Sequence, residues 1–290
     1  MRQDPDPRKR GTVTRRTVLA SLGLGLGLAG CAALAPETRG RAPGIRSPSP
    51  TAGPTHTPRP QPAAVPPPAA FRQPVPVLAR VAVPPGTLSA LPGEGSLLAW
   101  TVDDGSNSEV VARYIRFAAD TGIRLTFFVT GSYGAWTDNA ESLRPLVASG
   151  QIQLANHTWS HADLSALPDG EVTAELGRNH DFLTDTFGVD PRPYFRPPYG
   201  RHNGRVDALA ADLGYTAPTL WYGSLSDSGL IGEQQLLEFA DAWFLPQHIV
   251  IGHLNFEPVT NVFPQLRALL VNRGLTTVTL NDVFTSASHP

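Results

Sequence analysis

From residue 97 onward the chain alternates short apolar runs with amphipathic segments, and this alternation limits the folds it can adopt. Strands are predicted at residues 97–102, 125–129, 152–155, 217–220, 248–251 and 277–279, and helices at 109–121, 141–149, 171–187, 206–213, 234–243 and 262–272. The first four helices are each followed by glycine, which favours the left-handed backbone that ends a helix. Alternating strands and helices predict an α/β fold with a parallel sheet and helices outside it.

Polar residues that could take part in catalysis or metal binding follow several of the predicted strands. Asp103 and Asp104 follow the first strand, His157 follows the third, and Asp227 and His253 come after later ones. In a parallel α/β sheet, reactive groups gather at the carboxyl ends of the strands. We therefore expect these five side chains, distant in sequence, to meet on one face of a barrel.

Asp103 and Asp104 are also the first sign of a metal site. Two adjacent carboxylates at the end of a buried strand are costly unless something offsets their charge, and a divalent cation does so. His157 and His161, four residues apart, add two imidazoles. Each pattern alone has an ordinary explanation, a polar turn or two histidines on one helix face. Together they predict a site for one divalent cation.

The N-terminal segment has the layout of an export signal. Arg15 and Arg16 precede a short Gly- and Leu-rich apolar stretch that ends at Cys31, the single cysteine of the chain. The arginine pair resembles a twin-arginine signal, and residues 28–31 resemble a bacterial lipobox. In that resemblance residues 1–31 are an export signal, and Cys31 is lipidated and becomes the mature N-terminus. The alternative is an ordinary signal peptide that is cleaved elsewhere.

A proline-rich segment follows the export signal. Thirteen prolines occur within residues 36–76, mixed with Ala, Thr, Ser and Gly. Such a composition cannot bury a core and favours extended conformations. We therefore predict a disordered linker and transition over residues 32–94, and a folded domain over residues 95–286.

Five short segments, taken in order, resemble the motifs of a known family. They are residues 101–105 (Thr-Val-Asp-Asp-Gly), 157–161 (His-Thr-Trp-Ser-His), 194–200 (Tyr-Phe-Arg-Pro-Pro-Tyr-Gly), 221–228 and 251–253 (Ile-Gly-His). The family is the polysaccharide deacetylases of the NodB-homology type, carbohydrate esterase family 4. The fourth segment departs most. Ser224 and Ser228 stand where the family tends to have Asp and Trp, and Asp227 is the carboxylate that survives.

The resemblance implies a deformed (β/α) barrel and the metal-dependent hydrolysis of N-acetyl or O-acetyl groups on sugars. It also implies roles for individual residues. Asp104, His157 and His161 would bind one divalent cation, Zn²⁺ or a similar ion such as Co²⁺ or Ni²⁺. A water on the metal would be the nucleophile, with Asp103 as general base and His253 as general acid. Arg196 would hold Asp103, Asp227 would pair with His253, the Tyr199 backbone N–H would bind the oxyanion, and Leu254 and Ile251 would line a pocket for the acetyl methyl group.

These observations lead to one functional hypothesis and two alternatives. The hypothesis is an extracytoplasmic, membrane-anchored deacetylase of an acetylated amino-sugar polymer, with peptidoglycan as the nearest candidate. The alternatives are a metal-containing carbohydrate-binding lipoprotein with little turnover, and a deacetylase of a smaller amide or ester. The formal net charge of −2 offers no support for nucleic acid binding. No protein partner is implied.

Overall fold

The predicted alternation of strands and helices is present in the computed structural model, which describes residues 72–285. The strands are β1 Val81–Ala82, β2 Leu97–Asp104, β3 Leu125–Val129, β4 Ile152–Asn156, β5 Tyr194–Phe195, β6 Ala217–Pro218, β7 Gly223–Ser224, β8 Ile249–His253, β9 Thr276–Thr277 and β10 Phe284–Thr285. The helices are α1 Ser108–Thr121, α2 Ala135–Asp138, α3 Ala140–Ala148, α4 Asp169–Phe187, α5 Gly204–Asp212, α6 Glu233–Trp243, α7 Pro258–Asn261, α8 Phe263–Asn272 and α9 Leu280–Val283. The predicted export signal, Cys31 and most of the proline-rich segment lie outside the described residues.

The main sheet is parallel throughout and curves into an incomplete barrel. Its strand order is β6-β5-β4-β3-β2-β8-β7, and β9 pairs with the start of β2. The α/β class and the deformed barrel predicted from the sequence are confirmed. β6 and β7, which follow each other in the chain, form the two edges of the sheet. The barrel is therefore open between them.

The register of the central strands brings their polar ends level with one another. Asp103 on β2 pairs with Phe128 on β3 and with His253 on β8. Asp104 pairs with Val129, and Val129 pairs in turn with Asn156 at the end of β4. Because all these strands run in the same direction, their polar residues emerge at one end of the barrel.

A buried aromatic cluster anchors the central strand to the surrounding helices. Trp100 on β2 is fully buried and lies within about 6.5 Å of the rings of Tyr114, Phe117, Phe244 and Phe263. Edge-to-face and tilted contacts of this kind contribute beyond the area they bury. The cluster fixes β2, which carries both predicted site aspartates.

Residues 72–94, which the sequence analysis assigned to the linker and transition, are ordered against the barrel. In this segment β1 pairs with β10, and the backbone of Leu88 exchanges hydrogen bonds with Pro218 and Leu220. The side chains of Leu88 and Leu91 are buried in a core cluster inside the barrel. The proline-rich composition still allowed order because two apolar side chains and the pairing of a sheet edge stabilise an extended segment. Within residues 72–285, no helix is both long and apolar enough to cross a lipid bilayer.

Candidate active site and metal centre

The carboxyl ends of β2 and β4 bring the three predicted metal ligands together. The candidate ligand atoms of Asp104, His157 and His161 all lie within 4.8 Å of one another. Asp104 Oδ1 is 3.2 Å from His161 Nε2 and 3.4 Å from His157 Nε2. Ligand atoms placed tetrahedrally around Zn²⁺ at ~2.0–2.1 Å are separated by about 3.3 Å. The spacing therefore suits a cation of this size.

Hydrogen bonding around the three residues also fits a cation. His157 Nδ1 lies 2.7 Å from the carbonyl oxygen of Arg196. Because a carbonyl oxygen only accepts, Nδ1 carries the hydrogen and Nε2 directs its lone pair at Asp104. Asp104 Oδ1 is buried and has no hydrogen-bond partner within the described part of the chain. An unpartnered carboxylate oxygen facing imidazole nitrogens is the arrangement that a divalent cation stabilises.

The charges of these groups complement one another. Burial opposes ionisation of Asp104, but His157 and His161 hold its pKa well below the usual value. Burial lowers the pKa of His157, and the nearby Asp103 and Asp104 raise it above its usual value. For His161, burial and the neighbouring His157 lower the pKa. Asp104 is therefore ionised at neutral pH, as a metal ligand must be.

A network of buried asparagines shapes the loop that carries the two histidines. Asn179 on α4 donates to the Val129 carbonyl and to Asn156 Oδ1, each at 2.8 Å. Asn156 Oδ1 also accepts from the Thr158 N–H at 2.8 Å. Thr158 and His161 have positive φ angles of 69° and 62°. Non-glycine residues adopt this conformation only where their surroundings enforce it, and such residues cluster at functional sites.

Arg196 holds the second aspartate of the pair. Its guanidinium is fully buried and forms a short ion pair with Asp103 Oδ1. It also donates to Thr101 Oγ1 and the Thr219 carbonyl, both at 2.9 Å, and to the Leu220 carbonyl at 3.1 Å. Asp103 Oδ2 is left facing the site, 3.6 Å from His157 Nε2. Arg196 thus sets which oxygen of Asp103 is available for chemistry.

His253 and Asp227 form a pair on the opposite side of the site. His253 Nδ1 lies 2.9 Å from Asp227 Oδ1, and the His253 backbone N–H donates to Asp227 Oδ2 at 3.2 Å. Burial lowers the pKa of His253, but the bond to Asp227 and the charge of Asp103 raise it above its usual value. With Nδ1 bound to Asp227, Nε2 is the atom free to hold or release a proton toward the cavity.

These groups share one cavity of about 510 Å³. Its lining residues are Asp103, Asp104, His157, His161, Pro197, Tyr199, Gly200, Trp221, Ser224, Ser228, Ile251 and His253. Arg196 and Asp227 stand directly behind Asp103 and His253. The structure thus brings together every predicted site residue within 72–285 except Leu254.

Leu254 does not line the cavity, so this part of the sequence prediction is wrong. Its side chain is fully buried in the main hydrophobic core. Successive side chains of a strand point to opposite faces. Along β8 the side chains of Ile251 and His253 face the cavity. If this alternation continues past the end of the strand, Leu254 faces the helices. Leu254 acts through its backbone, whose N–H donates to the Asp103 carbonyl at 3.0 Å.

Tyr199 has the backbone geometry expected of an oxyanion donor. It lies in the 3₁₀ turn Pro198–Gly200 and has a φ angle of 61°. Its backbone N–H has no acceptor among residues 72–285. Its ring is 62% exposed and stands 4.8 Å from the ring of His161. The amide and the ring are thus both available at the mouth of the cavity.

Two residues of the site were missed at the sequence level. Trp221 lines the cavity and lies 5.6 Å from the guanidinium of Arg196, so an aromatic wall exists although the fourth motif lacks its Trp. Asn255 donates to Asp104 Oδ2 at 2.6 Å, and its own Oδ1 accepts from the backbone and hydroxyl of Ser106. No sequence pattern marks Asn255. Trp221 is the first residue of the fourth segment, and it could have been found by allowing the aromatic residue to stand before Asp227.

We expect Asn255→Leu to weaken divalent metal binding by about 10–100-fold, the usual cost of losing a residue that orients a ligand. The amide of Asn255 occupies Asp104 Oδ2 and so directs Oδ1 at the two histidines. Zn²⁺ titration by calorimetry measures the effect. Asn261→Leu is the control, since Asn261 is exposed and bonds to Glu233 outside the site. Equal affinities in the two variants would show that Asn255 does not orient Asp104.

Comparison with known proteins relates the domain to one family. Residues 91–218 match the family model described as polysaccharide deacetylase. This stretch, less than half of the chain, resembles a polysaccharide deacetylase domain of the NodB-homology type. The matched residues include Asp103, Asp104, His157, His161 and Arg196.

Individual relatives show the same likeness. Chitin deacetylase 1 of Cryptococcus neoformans is 41% identical over 119 residues, which are 41% of this chain and 24% of that protein. Across the first curated relatives, the match spans between 24% and 50% of their length. The match therefore spans no more than half of each of these relatives.

Solved structures show the same fold. A peptidoglycan N-acetylglucosamine deacetylase superposes with a TM-score of 0.63 at 18% identity, covering 70% of this chain and 95% of that one. A CE4-family pseudoenzyme from Bacillus anthracis superposes with a TM-score of 0.62 at 17% identity, covering 70% of each chain. The superposition thus covers more of the chain than residues 91–218 alone.

Proposed function

We propose that this domain removes acetyl groups from an acetylated amino-sugar polymer. The reaction would use a divalent cation, with Zn²⁺ as the first candidate, held by Asp104, His157 and His161. One observation carries the proposal. A candidate base, a candidate acid and the metal ligands share a single cavity, and a buried partner holds the base and another holds the acid. A protein that only bound sugar would need neither Asp103 nor His253.

The chemistry follows from the atoms that remain free. A cation bound there would polarise the acetyl carbonyl and lower the pKa of a water. Asp103 Oδ2 accepts a proton from the attacking water, while Arg196 keeps Oδ1 occupied. The Tyr199 N–H donates to the oxygen that becomes negative as the new C–O bond forms. His253 Nε2 then gives its proton to the departing nitrogen as the C–N bond breaks, so that acetate and a free amine are released.

For the substrate we propose peptidoglycan, an N-acetylated polymer that lies outside the cell membrane. Its relatives include chitin deacetylases, and its structural neighbours include a peptidoglycan N-acetylglucosamine deacetylase. The basic start, apolar stretch and Cys31 support an extracytoplasmic protein anchored by lipid, held away from the membrane by the proline-rich segment. Recovery of the full chain in the soluble rather than the membrane fraction would contradict the anchoring.

Removal of metal tests the reaction. Chelator-treated protein is expected to lose acetate release from acetylated chito-oligomers and isolated peptidoglycan by about 100-fold or more, because ionised Asp104 then has no cation to bind. Added Zn²⁺ or Co²⁺ should restore it. Acetyl esters offered in parallel distinguish O-acetyl from N-acetyl preference.

A second candidate is a metal-containing carbohydrate-binding protein, favoured by Ser224 and Ser228 in the fourth motif. Tight sugar binding with no acetate from any substrate would support it and overturn the deacetylase.

The pH dependence of turnover should report on the His253–Asp227 pair. Since His253 donates its proton, activity falls as the pH rises through its pKa, which Asp227 helps to raise. Asp227→Asn removes that charge, so the alkaline limb of the kcat profile should move to lower pH. Asp207→Asn, in the surface pair with His202, should leave the limb in place. An unchanged limb in Asp227→Asn would exclude His253 as the acid.

A further inference from the structure

A second cavity lies at the end of the barrel opposite the candidate active site. Its volume is about 800 Å³, within the range of small-molecule sites. Its lining includes residues just before or at the start of three strands, such as Arg124 before β3, Ile152 on β4 and Pro193 before β5. Arg80, from the ordered segment before residue 95, also lines it.

One of the three arginines that line this cavity has no acidic partner in the described part of the chain. Arg124 pairs with Asp282 at 2.6 Å, and Arg192 pairs with Asp190 at 2.7 Å. Both carboxylates are thereby neutralised within the protein. Arg80 makes no ion pair or hydrogen bond with any residue in the described range 72–285. A negatively charged group entering the cavity would meet this guanidinium without displacing an internal partner.

A buried amide supplies a second unused donor. Gln153 lines the cavity and is only 7% exposed. Its Oε1 accepts from the Asn281 backbone N–H at 2.8 Å and from Thr126 Oγ1 at 3.4 Å. Those bonds fix the orientation of the amide, and its nitrogen has no acceptor among residues 72–285. The amide nitrogen is therefore free to donate to a group that enters the cavity.

The rest of the lining indicates what carries the negative group. The lining contains both neutral hydrogen-bonding residues, such as Ser149, Thr216 and Asn281, and apolar ones, such as Val75 and Phe284. A sugar ring presents hydroxyl groups at its edge and C–H groups on its faces, so it suits a wall of this mixed kind. The Arg80 guanidinium and the Gln153 amide favour an anionic group. The mixed polar and apolar lining favours a hydroxyl-rich ring.

We propose that this cavity binds an acidic sugar, with its carboxylate or phosphate held by Arg80 and the Gln153 amide. The site lies apart from Asp104 and His253, so it goes beyond the deacetylase function and does not depend on it. Carboxylate and phosphate share the chemistry that a guanidinium and an amide N–H recognise.

Calorimetric titration of the full chain at low ionic strength tests the proposal. The probes are glucuronic acid, N-acetylglucosamine 1-phosphate and neutral N-acetylglucosamine. We expect at least one acidic probe to bind about tenfold more tightly than the neutral sugar, and Arg80→Gln to remove that difference. Arg72→Gln, an exposed arginine of the same segment outside the cavity, should not. Preference for glucuronic acid would assign a carboxylate ligand, and preference for the other acidic probe would assign a phosphate.

Gln153→Glu is the sharper variant. It keeps an oxygen for the Asn281 N–H and replaces the free donor with a second oxygen, so acidic probes should bind about tenfold more weakly while acetate release is unchanged. Three results would overturn the proposal: no acidic probe bound more tightly than the neutral sugar, equal losses in Arg80→Gln and Arg72→Gln, or unchanged affinity in Gln153→Glu.

Discussion

Asp103→Asn should lower turnover by about 10²–10⁴-fold, the usual contribution of a general base. Asparagine preserves the shape of the side chain but cannot take a proton from the attacking water. Arg196 keeps its bonds to Thr101, Thr219 and Leu220, so the site should stay assembled. Steady-state acetate release with Zn²⁺-saturated protein measures the effect.

Two further measurements make this result specific to proton transfer. Zn²⁺ affinity should stay within a few-fold of the unaltered protein, because Asp104 rather than Asp103 lies among the ligand atoms. Asp241→Asn makes the same chemical change in an exposed residue paired with Arg273, and it should leave turnover unchanged. A variant Asp103→Asn with full turnover would remove Asp103 from the mechanism.

Arg196→Met should be the most destabilising single change at the site. Its guanidinium is fully buried and bonds to Asp103, Thr101 and two carbonyl groups. Methionine fills part of the volume but leaves the carboxylate of Asp103 buried without its partner. Breaking a buried ion pair in this way costs about 3–5 kcal/mol of the free energy of unfolding. Urea unfolding of the metal-free protein measures it.

Arg201→Met is the matched comparison. Arg201 forms an ion pair with Asp163 at 2.9 Å, but its side chain is 66% exposed, so water replaces the lost partner. The urea midpoint of unfolding of the Arg201→Met variant should coincide with that of the unaltered protein. If the two variants unfolded alike, burial of the Arg196–Asp103 pair would not contribute to the stability of the barrel. Loss of turnover in Arg196→Met alone, with stability intact, would instead limit Arg196 to orienting Asp103.

Several features were predictable because they depend on neighbouring residues. β3 occupies residues 125–129, as its run of apolar and β-branched residues predicted. α1 ends at Gly122, whose φ of 74° is the left-handed conformation that glycine favours. Asp103, Asp104 and His157 were expected to lie together because reactive groups gather at the carboxyl ends of parallel strands. Applying this rule requires only the positions of the strands in the sequence.

Other features depended on contacts between distant parts of the chain. Leu88 and Leu91 become core residues because the barrel leaves space for them, which composition over a window could not reveal. Asn255 reaches Asp104 across 151 positions of sequence, and no local pattern encodes that bond. The side of the sheet that Leu254 faces depends on where β8 ends. The end of a strand is uncertain by about one or two residues when it is assigned from sequence.

The amino-acid sequence by itself determined the α/β class, the positions of the main strands and helices, and which acidic and imidazole side chains stand at strand ends. Hydrophobic periodicity and helix-ending glycines act over a few residues, so they can be read without coordinates. Only the tertiary structure decided which oxygen of Asp103 is free, which residues support Asp104, and that a second, arginine-lined cavity exists at the far end of the barrel. Those outcomes rest on distances and burial, which arise only when residues far apart in the chain are packed together.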